Sequence, residues 1–168
     1  MNALAKHLGM MRTRFLNPSG IDSKEKPYST ATDMARLTIY AMNNAGFRFY
    51  VSQKEREIEF GRAGGRMRYL LRNTNELLGQ NNVDGVKTGS TQRAGDCLVL
   101  SAARSSEVVQ QGQTTLITPR RLIVVLLASP NRFAEGGALL DRGWQLYDRW
   151  AGAGRPVGSK DMLGGSSE

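Results

Sequence analysis

Three apolar runs stand close together in the second half of the chain: Val83 to Gly89, Cys97 to Ala103 and Leu122 to Ala128. No helical pattern separates them. Only a polar stretch, Gln110 to Thr115, marks a loop between the last two. Neighbouring parallel strands need a long crossover, usually a helix, whereas antiparallel strands need only a turn. The three runs therefore predict an antiparallel sheet. Helical patterns lie before and after them, which gives an α+β arrangement of sheet and flanking helices.

The flanking elements follow from spacing and caps. Residues 2–11 read as the end of a helix without an N-cap of its own, with Leu4, Leu8 and Met11 on one face. Residues 15–28 form a loop with a turn at Asn17-Pro18-Ser19-Gly20. Thr30 and Asp33 resemble a capping box, and Met34, Leu37 and Ala41 make the buried stripe of the next helix, which Gly46 stops. Residues 54–60 alternate as a strand, with Ile58 and Phe60 on one face. A turn over Gly61 to Gly65 returns the chain as a second strand, Arg66 to Leu71. Asn73 to Asn82 is a polar connection around Leu77 and Leu78. Asn131 can cap a last helix carrying Phe133, Leu139, Leu140, Trp144 and Tyr147. One domain, 1–150, precedes a Gly/Ser-rich flexible tail, 151–168.

Composition removes several function classes. One cysteine, Cys97, excludes an intrachain disulfide, and its apolar neighbours predict a buried small side chain. A single histidine and a single cysteine leave no metal site and call for no cofactor. No segment is apolar for long enough to span a membrane as a helix, and the first residues lack the pattern of a signal peptide. The net charge is +8, and 17 of the 23 basic residues are arginine. Such a surface attracts anions. The stretch Arg62-Ala63-Gly64-Gly65-Arg66-Met67-Arg68 raises nucleic acid as a partner. No nucleic-acid motif accompanies it, so it is read as a solvated hairpin turn and no nucleic acid is expected.

The chemistry sits at Lys87-Thr88-Gly89, at the end of the first of the three strands. The lysine brings a fixed positive charge to the edge of a cleft. The threonine hydroxyl can donate to a carboxylate. Glycine leaves room for a peptide backbone, which can add to the sheet edge as an extra strand. Lys-Thr-Gly alone is common, but it does not stand alone. Met1-Asn2 with Ala5 and Leu8-Gly9-Met10 opens a series of blocks. Thr13, Phe15, Asn17-Pro18 and Gly20 follow, then Ser29-Thr30-Ala31 with Asp33-Met34-Ala35. The series continues with Asn82 to Gly89 and Thr91, Ala94-Gly95, Ser101-Ala102, Arg132-Phe133, Leu139-Leu140 and Gly143-Trp144. Together they resemble the serine-type D-alanyl-D-alanine carboxypeptidases, the low-molecular-mass penicillin-binding proteins, over residues 1–150. Two positions depart from that pattern: Arg14 and Ser90 stand where members often have histidine.

The resemblance implies a β-lactamase/transpeptidase-like fold and acyl transfer through a serine, with peptidoglycan D-Ala-D-Ala peptides and β-lactams as partners. It implies that Lys87 and Thr88 anchor the substrate's terminal carboxylate and that Gly89, Ser90 or Thr91 gives backbone contacts along the strand, one strand N–H helping to form the oxyanion hole. It makes Arg132 a second carboxylate partner and Arg72 a further candidate. It also implies a parent protein in the cell envelope or periplasm, with membrane association left open.

The family's other two motifs, Ser-x-x-Lys and Ser-x-Asn, precede the Met1-Asn2 block in its members. Here Ser23-Lys24-Glu25-Lys26 lies in a charged loop before Pro27, and Ser129-Pro130-Asn131 comes after Lys-Thr-Gly and reads as a helix cap. Neither is accepted as catalytic. No catalytic serine or general-base lysine is therefore assigned, and the N-terminal portion of the fold is expected to be missing. Two readings follow: part of a carboxypeptidase that is inactive without its other portion, or a non-catalytic module that binds peptidoglycan peptides. An unpaired sheet edge and exposed apolar surface predict aggregation or loose packing of 1–168 alone.

Overall fold

Three helices begin where a side chain holds the first backbone amides. The Thr30 hydroxyl accepts from the Asp33 amide at the start of α2 (Ala31–Met42), after the short α1 (Asn2–His7). The Asn44 side chain accepts from Phe47 N to open α3 (Ala45–Val51), and Asn131 accepts from Ala134 N to open α4 (Arg132–Gly152). Each cap satisfies an amide that has no partner inside its helix. The computed structural model describes residues 1–22, 24–62 and 64–157.

The predicted sheet is present and antiparallel. β3 (Val83–Thr91) pairs with β4 (Gly95–Gln111), which pairs with β5 (Thr114–Leu126), in the order β3-β4-β5. β1 (Glu55–Arg62) and β2 (Gly65–Arg72) form a separate antiparallel hairpin. In this order β3 and β5 are the sheet's edges.

Alternation along β4 supplies two cores. Leu98, Leu100 and Ala102 pack with Leu140 and Trp144 of α4. Val99 packs with Met42 of α2 and with Ile123 and Val125 of β5. The sheet thus lies between α4 and α2. Gly136 allows the close approach of α4, since a Cβ there would stand 2.9 Å from Leu98 Cδ2 and 3.1 Å from Leu100 Cδ1. Gly85 does the same for α3 on β3, where a Cβ would meet Val51 Cγ2 at 3.0 Å. Among the described residues no helix is long and apolar enough to cross a membrane.

Several local expectations are corrected. The first helix is shorter, and its buried residue is Ala5; Leu4 and Met11 are exposed, while Met10 is buried beyond the helix end. Gly9 takes a positive φ of 69°, which turns the chain before the predicted face is complete. In α2 the fully buried positions are Asp33, Thr38 and Met42, because a polar anchor rather than an apolar stripe fixes its rotation. Asp33 accepts from Arg12 N at 2.9 Å, Thr13 Oγ1 at 2.8 Å and Arg36 Nη1 at 3.1 Å. Gly46 does not stop the helix but lies inside α3.

The polar stretch Gln110–Thr115 is mostly strand, and the turn is confined to Gly112 and Gln113. The chain is also held beyond Gly152. Trp150 Nε1 donates to Pro156 O at 2.8 Å, and Arg155 pairs with Glu107. The rest of the predicted tail, 158–168, lies outside the described residues, as do Ser23 and Ala63.

Candidate functional site

The widely spaced N-terminal blocks meet in space. Asn2 Nδ2 donates to Phe15 O, and Phe15 N donates back to Asn2 Oδ1, both at 2.8 Å. Arg14 and Tyr28 exchange backbone hydrogen bonds at 2.9 and 3.3 Å. Asn17 Oδ1 receives the Gly20 amide at 2.7 Å and closes the predicted turn. Asp33 then fastens Arg12 and Thr13 to α2. This loop forms one wall of a cleft of about 480 Å³, with Phe15, Pro27, Tyr28 and Ser29 lining it. Lys87, Thr88 and Gly89 of β3 line it too, together with the apolar side chains of Met34, Val99 and Leu127.

Lys87 is exposed, and Nζ donates to the carbonyl of Thr88. Among the described residues no carboxylate pairs with it. Thr88 is buried, and its hydroxyl is hydrogen-bonded to the Thr74 hydroxyl. A hydroxyl donates once and accepts twice. When Thr74 donates, the Thr88 hydrogen is left for an acceptor in the cleft. A Cβ at Gly89 would meet nothing closer than Cys97 Cβ at 4.0 Å, an ordinary contact. Packing inside the chain therefore does not demand glycine there; what glycine preserves is open space on the cleft side.

Arg132 stands behind this strand. Its Nη1 donates to Gly89 O at 2.9 Å and to Asp96 Oδ1 at 3.2 Å, and the guanidinium lies 5.0 Å from the Phe133 ring centroid. It joins the cap of α4 to the motif strand. Thr91 ends β3, where its hydroxyl donates to Asp22 Oδ1 at 3.3 Å and accepts from Ala94 N at 3.1 Å. Arg72 is not brought to the cleft. It lies opposite Glu55 in the hairpin register and pairs with that carboxylate at 3.7 Å, its side chain largely in solvent. The hairpin pairs only with itself, so its last residue follows the hairpin and not the sheet. Cys97 is half-buried in the cleft wall rather than buried in the core.

Sequence reading passed over the segment that braces the motif. Buried Asn75 donates from Nδ2 to Gly85 O at 3.1 Å, Asn73 Nδ2 donates to Val51 O and Gln53 O at 3.1 Å each, and Thr74 meets Thr88. The signal was Asn73-Thr74-Asn75, polar residues that can replace regular backbone pairing. The second literal serine motif is a cap, as expected: Ser129 Oγ donates to Glu135 Oε2 at 2.7 Å beside the Asn131 cap. The hairpin arginines Arg66 and Arg68 pair with Glu57 and Glu59.

Residues 1–111 match the family model of peptidase S11, D-alanyl-D-alanine carboxypeptidase. The chain is 36% identical over 152 residues to the D-alanyl-D-alanine carboxypeptidase DacC of Escherichia coli K12, covering 88% of this chain and 33% of DacC. It is 35% identical over 112 residues to the carboxypeptidase of Streptomyces sp. K15, 65% of this chain and 38% of that one. The solved Streptomyces K15 DD-transpeptidase superposes with a TM-score of 0.70 at 29% identity, over 86% of this chain and 52% of that one. Penicillin-binding protein D2 of Listeria monocytogenes in its cefotaxime-bound form does so with 0.63 at 27%, over 85% and 53%. The chain spans about a third of these curated relatives and about half of the solved chains. With its motif strand, its cleft and its penicillin-binding-protein fold, the chain belongs to the S11 family of D-alanyl-D-alanine carboxypeptidases.

Proposed function

We propose that this chain carries the substrate-anchoring part of a serine-type D-Ala-D-Ala carboxypeptidase that acts on peptidoglycan stem peptides and is acylated by β-lactams. The observation that carries the proposal is the Lys87 ammonium, without a carboxylate partner among the described residues, next to a Thr88 hydroxyl that can still donate. A peptide C-terminus supplies what both lack, a negative charge with several acceptor sites. The peptide backbone would lie along the open edge of β3 over Gly89.

In this reading the chain binds and orients, and the attack itself comes from a serine and a lysine base outside it. An activated nucleophile needs a base in contact with it. Among the described residues no serine hydroxyl bonds to a lysine amine. Ser29, the serine in the cleft wall, is hydrogen-bonded to the Thr13 hydroxyl at 2.9 Å and lies 3.5 Å from the Thr30 carbonyl. This favours, as the second reading, a non-catalytic module that holds such peptides. In either case the parent's place is the cell envelope or periplasm, where the substrate is.

Titration of 1–168 with a D-Ala-D-Ala peptide, and with the same peptide amidated at its C-terminus, tests the anchor. Binding of the free acid that is lost on amidation is expected. Equal binding of the two, or none of either, removes Lys87 and Thr88 as a carboxylate site.

A further inference from the structure

The fold fixes the backbone at residue 14 firmly and makes little use of the side chain. Thr13 Oγ1 donates to Asp33 at 2.8 Å, and Phe15 is held to Asn2 in both directions. Arg14 itself exchanges backbone hydrogen bonds with Tyr28. Three successive residues are thus tied to three other segments. The Arg14 side chain stands outside these bonds. It lines the same cleft as Lys87 and Thr88, with 56% of its surface open to solvent.

Its side-chain partner among the described residues is Glu25, reached from Nη2 at 3.1 Å. That carboxylate is 67% exposed, and ion pairs between exposed groups contribute little. The bond uses one of the five N–H groups of a guanidinium. The remaining fork matches the geometry of a further carboxylate. Other arginines near the sheet are engaged inside the chain: Arg132 with Gly89 O and Asp96, Arg36 with Asp33 and Gly9 O, and Arg121 with Asp84. Where the family often has a histidine, arginine at position 14 keeps its charge throughout the neutral range.

We propose that Arg14 determines specificity by binding a second carboxylate, on the side chain of the residue that precedes D-Ala-D-Ala, while Lys87 and Thr88 hold the terminal one. This rests on the carboxylate-anchor reading given above. Both cationic side chains line one cleft of about 480 Å³. A cleft of that size takes a small ligand, so the two acids belong to the last few residues of one peptide. Glu25 lies in solvent, so moving it aside for the ligand uncovers no buried group.

Titration of the full chain with N-acetyl-Glu-D-Ala-D-Ala and with N-acetyl-Gln-D-Ala-D-Ala isolates the second acid. The expected result is a preference of about fivefold for the glutamyl peptide, the upper range for an exposed ion pair. Arg14→Gln is expected to bring the glutamyl peptide down to the affinity of the glutaminyl one, and Arg14→Lys to keep part of the difference. Arg14→His is expected to keep the preference at about pH 5.5 and lose it by about pH 7.5, because imidazole gives up its proton between them. The parent's preference is expected to be the same at both. The other charged and titratable groups at this wall, Glu25, Tyr28, Lys87 and Cys97, are common to all the variants and cancel in the comparison. At +8 the whole molecule attracts acidic peptides. Arg149→Gln controls for this, since it removes an exposed charge from the last turn of α4 and is expected to leave the preference intact. Equal binding of the two peptides by the parent, a preference that survives Arg14→Gln, or an equal loss in Arg149→Gln overturns the proposal. If both peptides bind equally and Lys87→Gln weakens both, the terminal anchor stands and the role of Arg14 alone falls. If neither binds, both readings fall.

Discussion

The guanidinium of Arg132 donates to the carbonyl of Gly89 at 2.9 Å, so the first turn of α4 holds the strand that carries the motif. It also reaches Asp96 on β4 at 3.2 Å and is mostly buried. Arg132→Ala should therefore loosen β3 as well as remove a positive charge. A hydrogen bond to a charged group is worth about 1.5–3 kcal/mol. Exchange protection of the β3 amides should fall by at least tenfold at the lower end of that range. Arg132→Lys should recover only part of it, because an ammonium lacks the planar fork that reaches two acceptors. Unchanged β3 protection in Arg132→Ala would make the contact incidental.

Lys87→Gln removes a cleft charge that has no carboxylate partner among the described residues, and it leaves the fold alone, since the side chain is exposed. The expected outcome is a loss of roughly tenfold or more in affinity for the free-acid peptide, the loss of one charge-assisted hydrogen bond. The amidated peptide should be insensitive to the change. Calorimetry or chemical-shift titration separates the two.

Purified 1–168 should form no covalent adduct with a fluorescent penicillin and should not release D-Ala from a D-Ala-D-Ala peptide. The physical reason is the absence of a serine–lysine contact among the described residues. Intact-mass analysis checks it. An adduct that maps to Ser23 would show that the literal Ser-x-x-Lys is used after all.

Asp33 is buried and satisfied by three donors from two segments. Asp33→Ala leaves the Arg12 amide and the Thr13 hydroxyl without this acceptor, while Arg36 keeps its hydrogen bond to the Gly9 carbonyl at 3.1 Å. Leaving a buried donor without its acceptor costs about 1–3 kcal/mol. Asp33→Asn, which keeps an acceptor, should cost less. Denaturant titration followed by tryptophan fluorescence ranks the two, and equal stability of Asp33→Ala and the parent would refute this role.

Gly136→Ala opposes two effects. Alanine favours the helix by about 1 kcal/mol over glycine. Its methyl group, however, falls at 2.9 Å from Leu98 and 3.1 Å from Leu100, both fully buried. Overpacking of this kind costs about 1–3 kcal/mol. Net destabilisation is expected, whereas the same change at Gly137, with nothing within 4 Å, should stabilise. The difference in melting temperature between the two variants decides it.

The residues that sequence alone settled are those whose role is local. Thr30 and Asn131 cap their helices because a short polar side chain can reach its own backbone in any context. The antiparallel sheet followed from connections too poor in helix to cross over, and Lys87-Thr88-Gly89 was recognisable because family order surrounds it. What required the tertiary structure depends on partners distant in sequence. Asp33 outweighs the apolar stripe in orienting α2 because Arg12 and Thr13 come to meet it from another segment. The sequence marked Arg132 as a carboxylate partner, but only the packing of α4 on β4 reveals that it holds Gly89. Arg72, the further candidate by resemblance, is directed to Glu55 by a hairpin that pairs with itself. Thr74 and Asn75 acquire their importance only when folding sets them beside Thr88 and Gly85. Hydrogen bonds between distant segments leave no periodic trace in a sequence, and this site is held together chiefly by them.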